Sequence, residues 1–540
     1  MKIKLLVIIL LAPIALPAQS VTVSINSKTT FQTMDGFGYS QRYFSDPHLT
    51  GGYDRDTSAM PAGALMMTTD QQNELLDLLH TNLGLNRVRP LILGLIEPVN
   101  DNNDPNVTDL TRFNFNGLRN DAQMDYVQRA IPRGLTSYFI SPVWLEPWMD
   151  DNTSADEYAE WAMAILRRWR SQGLEIPYWS IVNEPGYIRS GIWSGEWIRD
   201  AIKVLGPKMR LENFNTMIVT ADDVRSTDAA LRSTIILADT TARKYIGALA
   251  THLYDEPISS VSQMQALSTQ YNLPLWMTEF SVGAMPTAGL TGTPFDWMLM
   301  THDLIANYNV SAVDYLSGFL GSTDYNYITI QNNGPQYLGY TLTKSYFFMG
   351  QYTKFVKQGA KRIQSISSDQ SVKVTAYADQ SKIIFVAINN ANTPTTVQFN
   401  SVDFMDSVKV TRTSQTENWA TLPTITAKDT TFITTLSPKS VTTFIVENSM
   451  TGIKSIVPNE GIVSIFPNPC STKTTLKTTG VFNDAALDIY NLYGQIVKQI
   501  KNISGQTITV QRDNLTAGIY FLRLTQNNKV ITTRKLVITD

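Results

Sequence analysis

Cysteine is almost absent. Cys470 is the single one in 540 residues, so no disulfide can form within the chain and the fold must rest on the size of its core. Excess charge is absent too. Lys and Arg number 44 against 47 Asp and Glu, a formal net charge of −3, which leaves no electrostatic footprint for nucleic acid or another polyanion. Long apolar runs are confined to the N-terminus. There Lys2 and Lys4 precede an apolar core from Leu5 to Leu16, and Ala18 offers a cleavage residue. That is the pattern of a signal peptide over residues 1–18. Pro13 and Pro17 break it, and it is too short for a good membrane span. No other stretch approaches one, so stable membrane insertion is not expected. No cysteine stands near the cleavage point to carry a lipid anchor.

What is present is a repeating alternation. Strand-like runs occur at Thr33–Tyr39, Asn86–Leu91, Ser137–Ser141, Tyr178–Asn183, Thr216–Thr220, Gly247–Leu253, Pro274–Thr278 and Val310–Leu316. Amphipathic helical stretches lie between them. Asp70–Asn82 has Leu75, Leu76, Leu78 and Leu79 on one side; Asp156–Gln172 opens on Ser154. Strands alternating with helices argue parallel βα units, and eight units close as a (β/α)8 barrel, an α/β fold. The barrel is expected over residues 34–362. From 363 to 447 the texture changes to alternating strands, as in "VKVTAYA" and "KIIFVAINN", which predicts an antiparallel β side domain. The early run "SVTVSIN" has the same alternation, so residues 19–33 are expected to join that sheet. Residues 448–462 form a polar linker, and 463–540 a small all-β, sandwich-like domain.

The stretch "PYWSIVNEPG", residues 177–186, ends a buried strand run on Asn183-Glu184, and Pro185 forbids its continuation. In "LPLWMTEFS" a second run ends on Glu279. In this numbering the two glutamates close strands four and seven of the barrel, and barrel enzymes work at C-terminal strand ends. Two carboxyls about 5–5.5 Å apart at one mouth are the apparatus of a retaining glycosidase. One must be protonated to assist the leaving group while the other attacks, so their surroundings must differ. The competing reading of Glu184 and Glu279 is a buried salt bridge; two strand-end carboxylates arriving together argue against it.

"MDGFGYS", "NEP", "THLYD" and "WMTEFS", in that order, together with "YFFMGQYTKFVKQGAKRI" at the barrel exit, resemble glycoside hydrolase family 30. The resemblance covers about residues 21–447. It implies a retaining double displacement with no metal and no cofactor. It makes Glu184 the acid/base and Glu279 the nucleophile, with Asn183 on the sugar 2-hydroxyl and Arg89 supporting the ionised nucleophile. His252 and Tyr254 match the family's sixth-strand polar pair, and Trp144 a pocket-wall aromatic. Arg87 shares a strand face with Arg89 and is equally a structural ion pair. His252 has the alternative of a satisfied core histidine, and Trp144 and Trp148 that of ordinary packing. Tyr325 and Tyr327 stay open between sugar platforms and ordinary loop aromatics.

"SIFPNPCSTKTTL", "LDIYNLYGQIV" and "NLTAGIYFLRLT" with "RKLVI" resemble the C-terminal sorting domain of the type IX secretion system. A carbohydrate-binding module of the same β texture is the competing reading. The resemblance implies the secretion machinery as a partner and a secreted or cell-surface protein. The expected substrate is a β-linked polysaccharide, cut internally. Xylan stands first; a β-1,6-linked glucan or galactan, or exo-action, stands behind it. The loop after the eighth strand, from Ser317 to Gly334, contains no Arg or Lys, so a glucuronate side group would lack a charge-assisted partner there. A catalytically dead carbohydrate-binding barrel is the reading from another class; both carboxylates and Asn183 speak against it.

Overall fold

The computed structural model describes residues 20–40, 44, 66–92, 95–115, 120–150, 153–187, 193–281, 292–320, 326–379, 382–447, 463–491, 494–526 and 529–540. The expected signal peptide and linker, and Tyr325, lie outside the described residues. The chain divides into two compact units, meeting between Asn448 and Ser449.

Parallel strands form the centre of the first unit. They are β2 (Gly36–Tyr39), β3 (Arg87–Val88) with β4 (Leu91–Ile92), β5 (Ser137–Pro142), β6 (Tyr178–Ser180), β7 (Met217–Asp223), β8 (Ile246–His252), β9 (Leu275–Glu279) and β10 (Val310–Tyr315). Each pairs in parallel with its neighbours, and β10 returns to pair with β2. A bridge between Ser40 and Arg89 closes the ring. Every residue of β5, β9 and β10 is buried, which is why these strands show no strict apolar–polar alternation. Helices α1 (Thr69–Leu76) to α8 (Lys344–Thr353) cover the outside. In α3 (Ala155–Ser171) the Ser154 hydroxyl caps the Glu157 amide, with Asp156 and Glu157 in the first turn and Arg168 and Arg170 in the last. These charges offset the helix dipole.

Several local expectations change. The second strand is split in two around Pro90, which has no N–H to give the ladder. The fourth ends at Ser180, three residues before Asn183. The helix expected over Asp70–Asn82 is α-helical to Leu76 and widens to a π turn over Asp77–Asn82. Thr33 belongs not to the barrel but to the long strand β1 (Val21–Thr33).

β1 pairs antiparallel with β14 (Lys361–Ser367) and parallel with β17 (Thr395–Ser401) in a nine-stranded sheet. That sheet also contains β15 (Val372–Asp379), β16 (Lys382–Asn389) and β21 (Ser440–Glu447). The alternation of β16 divides its side chains between two cores. Ile383, Phe385 and Ala387 pack with Phe399, Phe432 and Phe444 inside the β layers. Ile384, Val386 and Ile388 face the other way and join the barrel's own hydrophobic cluster. Each such side chain contributes about 1.5–3 kcal/mol when fully buried, so one face of β16 fastens the sheet to the barrel.

The second unit is an antiparallel set, β22 (Val463–Phe466), β23 (Lys473–Tyr490), β24 (Ile496–Gln511), β25 (Gly518–Gln526) and β26 (Lys529–Ile538). Its core includes Leu476, Leu487, Leu522 and the buried thiol Cys470.

Candidate active site

Each barrel strand delivers its last residues to one mouth. Arg89 is the residue around which the site is assembled. Its side chain is buried, and each guanidinium nitrogen has a separate task. Nε donates to the Ser40 hydroxyl at 2.9 Å, Nη1 to Asn183 Oδ1 at 2.7 Å, and Nη2 to Glu279 Oε2. The second oxygen of Glu279 accepts from the Tyr254 hydroxyl at 2.8 Å. Both carboxyl oxygens therefore face donors, the arrangement suited to a carboxylate.

Glu184 stands in different company. Its Oε1 shares a hydrogen bond of 2.9 Å with His252 Nδ1. Its backbone takes φ 49°, a left-handed conformation rare outside glycine, and its amide donates to the Asp222 carbonyl at 2.8 Å. One oxygen of Glu184, one of Glu279 and a ring nitrogen of His252 lie within 4.8 Å of one another.

His252 is fully buried between two carboxylates. Nδ1 faces Glu184, and Nε2 lies 3.4 Å from Asp222 Oδ1 and 3.3 Å from Arg89 Nη1. Burial alone would depress its basicity. The hydrogen bonds to Asp222 and Glu184 outweigh burial and the repulsion of Arg89, and they raise it above the usual histidine value. Asp222 is fully buried as well. Burial opposes its ionisation, but Arg89, His252 and the Ser141 hydroxyl prevail and hold the carboxyl below the usual range. Ser141 Oγ donates to Oδ2 at 2.6 Å and Thr278 Oγ1 to Oδ1 at 2.7 Å.

Asp222 was not foreseen. Its signal is the same as that of Glu184: the run "MIVTADD" ends an apolar strand on acidic residues. Asp223 beside it anchors the chain beyond Glu184, accepting the Gly186 amide at 3.0 Å and pairing with Arg232 at 2.7 Å.

The other sequence candidates separate. Asn183, Arg89, His252, Tyr254, Glu184 and Glu279 come together. Trp144 lies on the loop leaving β5, at the same end of the barrel, and is 9% exposed. Arg87 is engaged apart from the two glutamates, in a two-pronged pair with Asp314, at 3.1 and 3.0 Å, against the face of Trp276. Gly38 makes room for that pair, since a Cβ there would stand 2.5 Å from Asp314 Oδ1. Trp148 bonds the Glu97 carbonyl at 2.8 Å. Tyr327 is wholly buried and stacks on Tyr315 at 4.8 Å; it is packing, with no face left for a sugar. Glu184, His252 and Glu279 also offer three atoms to a cation, but Arg89 already supplies positive charge to Glu279, and a metal would have to displace it.

Residues 464–539 match the family model for a secretion system C-terminal sorting domain, which implies secretion or a cell-surface location. Among the described residues no helix is long and apolar enough to cross a membrane. By sequence, 294 residues are 26% identical to the glucuronoxylanase XynC of Bacillus subtilis (strain 168), covering 54% of this chain and 65% of that protein. A stretch of 350 residues is 24% identical to an endo-1,6-β-D-glucanase of Neurospora crassa, covering 56% of this chain and 67% of that one. The chain thus spans about two-thirds of the length of these curated relatives. By structure it is similar to a family 30 glycoside hydrolase endoxylanase from Clostridium papyrosolvens C71, with TM-score 0.60 and 21% identity over 79% of this chain and 100% of that one.

Proposed function

We propose that this chain, with its family 30 barrel fold and its sorting tail, is a retaining endo-β-glycanase exported by the type IX system. The observation that carries the reading is the contrast between the two carboxyls. Glu279 has Arg89 and Tyr254 donating to both oxygens, while the Glu184 carboxyl, with one oxygen within 4.8 Å of one of Glu279, is hydrogen-bonded only by His252 among the described residues. Glu279 is placed to attack the anomeric carbon, and Glu184 to give its proton to the departing glycosidic oxygen. Water then enters on the side of Glu184, which takes the proton back, and configuration is retained. Separations of about 6.5–9.5 Å would instead leave room for the water of an inverting enzyme.

Asn183 spends its carbonyl oxygen on Arg89, so its amide N–H2 is the group that can donate to the sugar 2-hydroxyl. Trp144, at the same end of the barrel, is the candidate wall for the sugar. Xylan is the first substrate reading. A β-1,6-glucan is the second, favoured by the likeness to the Neurospora crassa enzyme. The test is a polysaccharide panel followed by proton NMR of the first product. Release of β-anomeric oligosaccharides from one β-glycan is expected; no hydrolysis of any, or α-anomeric first products, would overturn the reading.

A further inference from the structure

The turn that carries Glu184 is held by a side chain from the helix that follows β7. The Glu184 carbonyl accepts the Tyr187 amide at 2.9 Å, closing a turn with Pro185 in second place, where its fixed φ is favoured. Asp223, at the end of β7 and fully buried, accepts the Gly186 amide at 3.0 Å and the Val224 amide at 2.8 Å on one oxygen. Its other oxygen accepts from Arg232 Nη1 at 2.7 Å. Arg232 stands on α5 (Ser226–Ala238), and its other two nitrogens go to backbone. Nε donates to the Trp193 carbonyl at 2.9 Å and Nη2 to the Pro185 carbonyl at 3.4 Å. The Pro185 carbonyl also accepts the Trp193 amide at 2.9 Å. One guanidinium thus fastens the chain where it leaves Glu184 and again just before it enters α4 (Gly195–Leu211).

Two glycines permit this close approach. A Cβ on Gly186 would stand 3.0 Å from Asp223 Oδ1 and 3.2 Å from Arg232 Nη1; one on Gly195 would stand 2.9 Å from Ile235 Cδ1 and 3.3 Å from Arg232 Cα. The pair also depends on its own charges. Burial pushes the Asp223 carboxyl above its ordinary value, while Arg232 and the amides of Gly186 and Val224 oppose this. Without Arg232 the buried carboxylate would lose its one strong counter-charge. Glu184 itself holds φ 49°, a conformation that persists in a non-glycine residue only where its surroundings over-determine it. The Asp222 carbonyl fixes the Glu184 amide on one side. Asp223 and Arg232 fix the two residues on the other.

We propose that Arg232, acting through Asp223 and the Pro185 carbonyl, is a positioning residue for proton transfer by Glu184. This rests on the acid/base reading of Glu184 given above. All three guanidinium nitrogens are engaged with protein groups, so the effect of Arg232 on the reaction passes through the backbone it holds. A general acid works only within hydrogen-bond reach of the atom it protonates, and a small misplacement is costly. The cost falls on glycosidic bonds whose leaving group needs the proton. It spares those whose leaving group departs without one.

The experiment measures kcat/KM of the full chain, which reports the first displacement, on dinitrophenyl, nitrophenyl and phenyl β-xylobiosides, or on the matching gentiobiosides if the polysaccharide panel selects β-1,6-glucan. Arg232→Gln should lower kcat/KM at least about tenfold on the phenyl substrate and change it less than about twofold on the dinitrophenyl one. A purely structural role would lower Tm and scale all three substrates alike. Arg232→Lys keeps a charge for Asp223 but not the fork to two carbonyls. It should show the same dependence on leaving group, and it decides if Arg232→Gln does not fold. In a Glu184→Ala background the same substitution should cost nothing further, since both losses act through one carboxyl. A uniform fall across the three leaving groups, no fall on any, or a further loss on top of Glu184→Ala would overturn the positioning role. If Glu184→Ala itself showed no dependence on leaving group, the acid/base reading would fail, and the positioning role with it.

Discussion

The amide of Glu184 donates to the carbonyl of Asp222 at 2.8 Å, and both residues hold left-handed backbone, φ 49° and 57°. Neither is glycine, so each conformation is disfavoured and must be held by its surroundings. The return is orientation. The turn aims Glu184 at His252, while Asp222 faces the far nitrogen of the same ring. Two strand ends thus share one imidazole.

The carboxyl roles separate by leaving group. Glu279→Ala should abolish turnover on every substrate. Glu184→Ala should do so on polysaccharide yet spare the first step on activated aryl glycosides, which need no proton. Azide should restore turnover of Glu184→Ala with a product of retained configuration. Rescue of Glu279→Ala instead, with an inverted glycosyl azide, would exchange the two roles.

Asp222→Asn tests the shared imidazole. Asp222 and Glu184 raise His252 above its ordinary value. A group that binds its proton more tightly when folded adds stability that is complete below about pH 6.5 and drains away as pH rises through the folded value. The variant lowers that folded value, so its melting temperature should begin to fall at lower pH than in the wild type. kcat should drop by about tenfold or more with KM little changed, since the loss is in proton transfer. Asp222→Ala should cost about 3–5 kcal/mol, because it leaves Arg89 and His252 without their buried partner. Melts between pH 5 and 9 that superpose on the wild type would refute the account.

Much of this was legible because the barrel writes itself in buried strand runs. Glu184 and Glu279 stood out where such runs ended, and β1 showed the alternation of the sheet it joins. What escaped depends on contacts between distant segments. Asp222 ends a run just as Glu184 does, but its value lies in Arg89, Ser141, Thr278 and His252, which no local pattern assembles. Arg87 and Arg89 are two residues apart on one face, and only Asp314 opposite one and Glu279 opposite the other tells them apart. Tyr327 looked like a loop aromatic because the sequence does not show Tyr315 lying against it. Pro90 was visible, yet the way parallel pairing resumes at Leu91 was not.

The side sheet should be inseparable from the barrel, and the second unit should not. Ile384, Val386 and Ile388 lie in the barrel's own cluster. Ending the chain near residue 362 should expose their partners and give insoluble protein. Phe385→Ala, on the other face of β16, should cost about 3–5 kcal/mol. Ending the chain at residue 448 should leave solubility and turnover intact while abolishing export. A soluble, active chain ending near 362 would mean that the sheet is an independent module.

The last prediction concerns a charge that is missing. A glucuronate side group entering a partly dry cleft needs a cation or several aimed donors, since a desolvated, unpaired carboxylate is costly. From Ser317 to Gly334 the chain offers none by charge, and it carries Asp324. Tyr327, which might have supplied a hydroxyl, is wholly buried. Arg89 and Arg87 are both engaged, with Glu279 and Asp314. Turnover on neutral and on glucuronate-decorated xylan should therefore be comparable if xylan is the substrate, and products should not be spaced by the decorations. Mass spectrometry of digests of both polymers at matched chain length reads this directly. A strong preference for the decorated polymer, with a glucuronate at one fixed position in every product, would show that a cation from another loop supplies the grip.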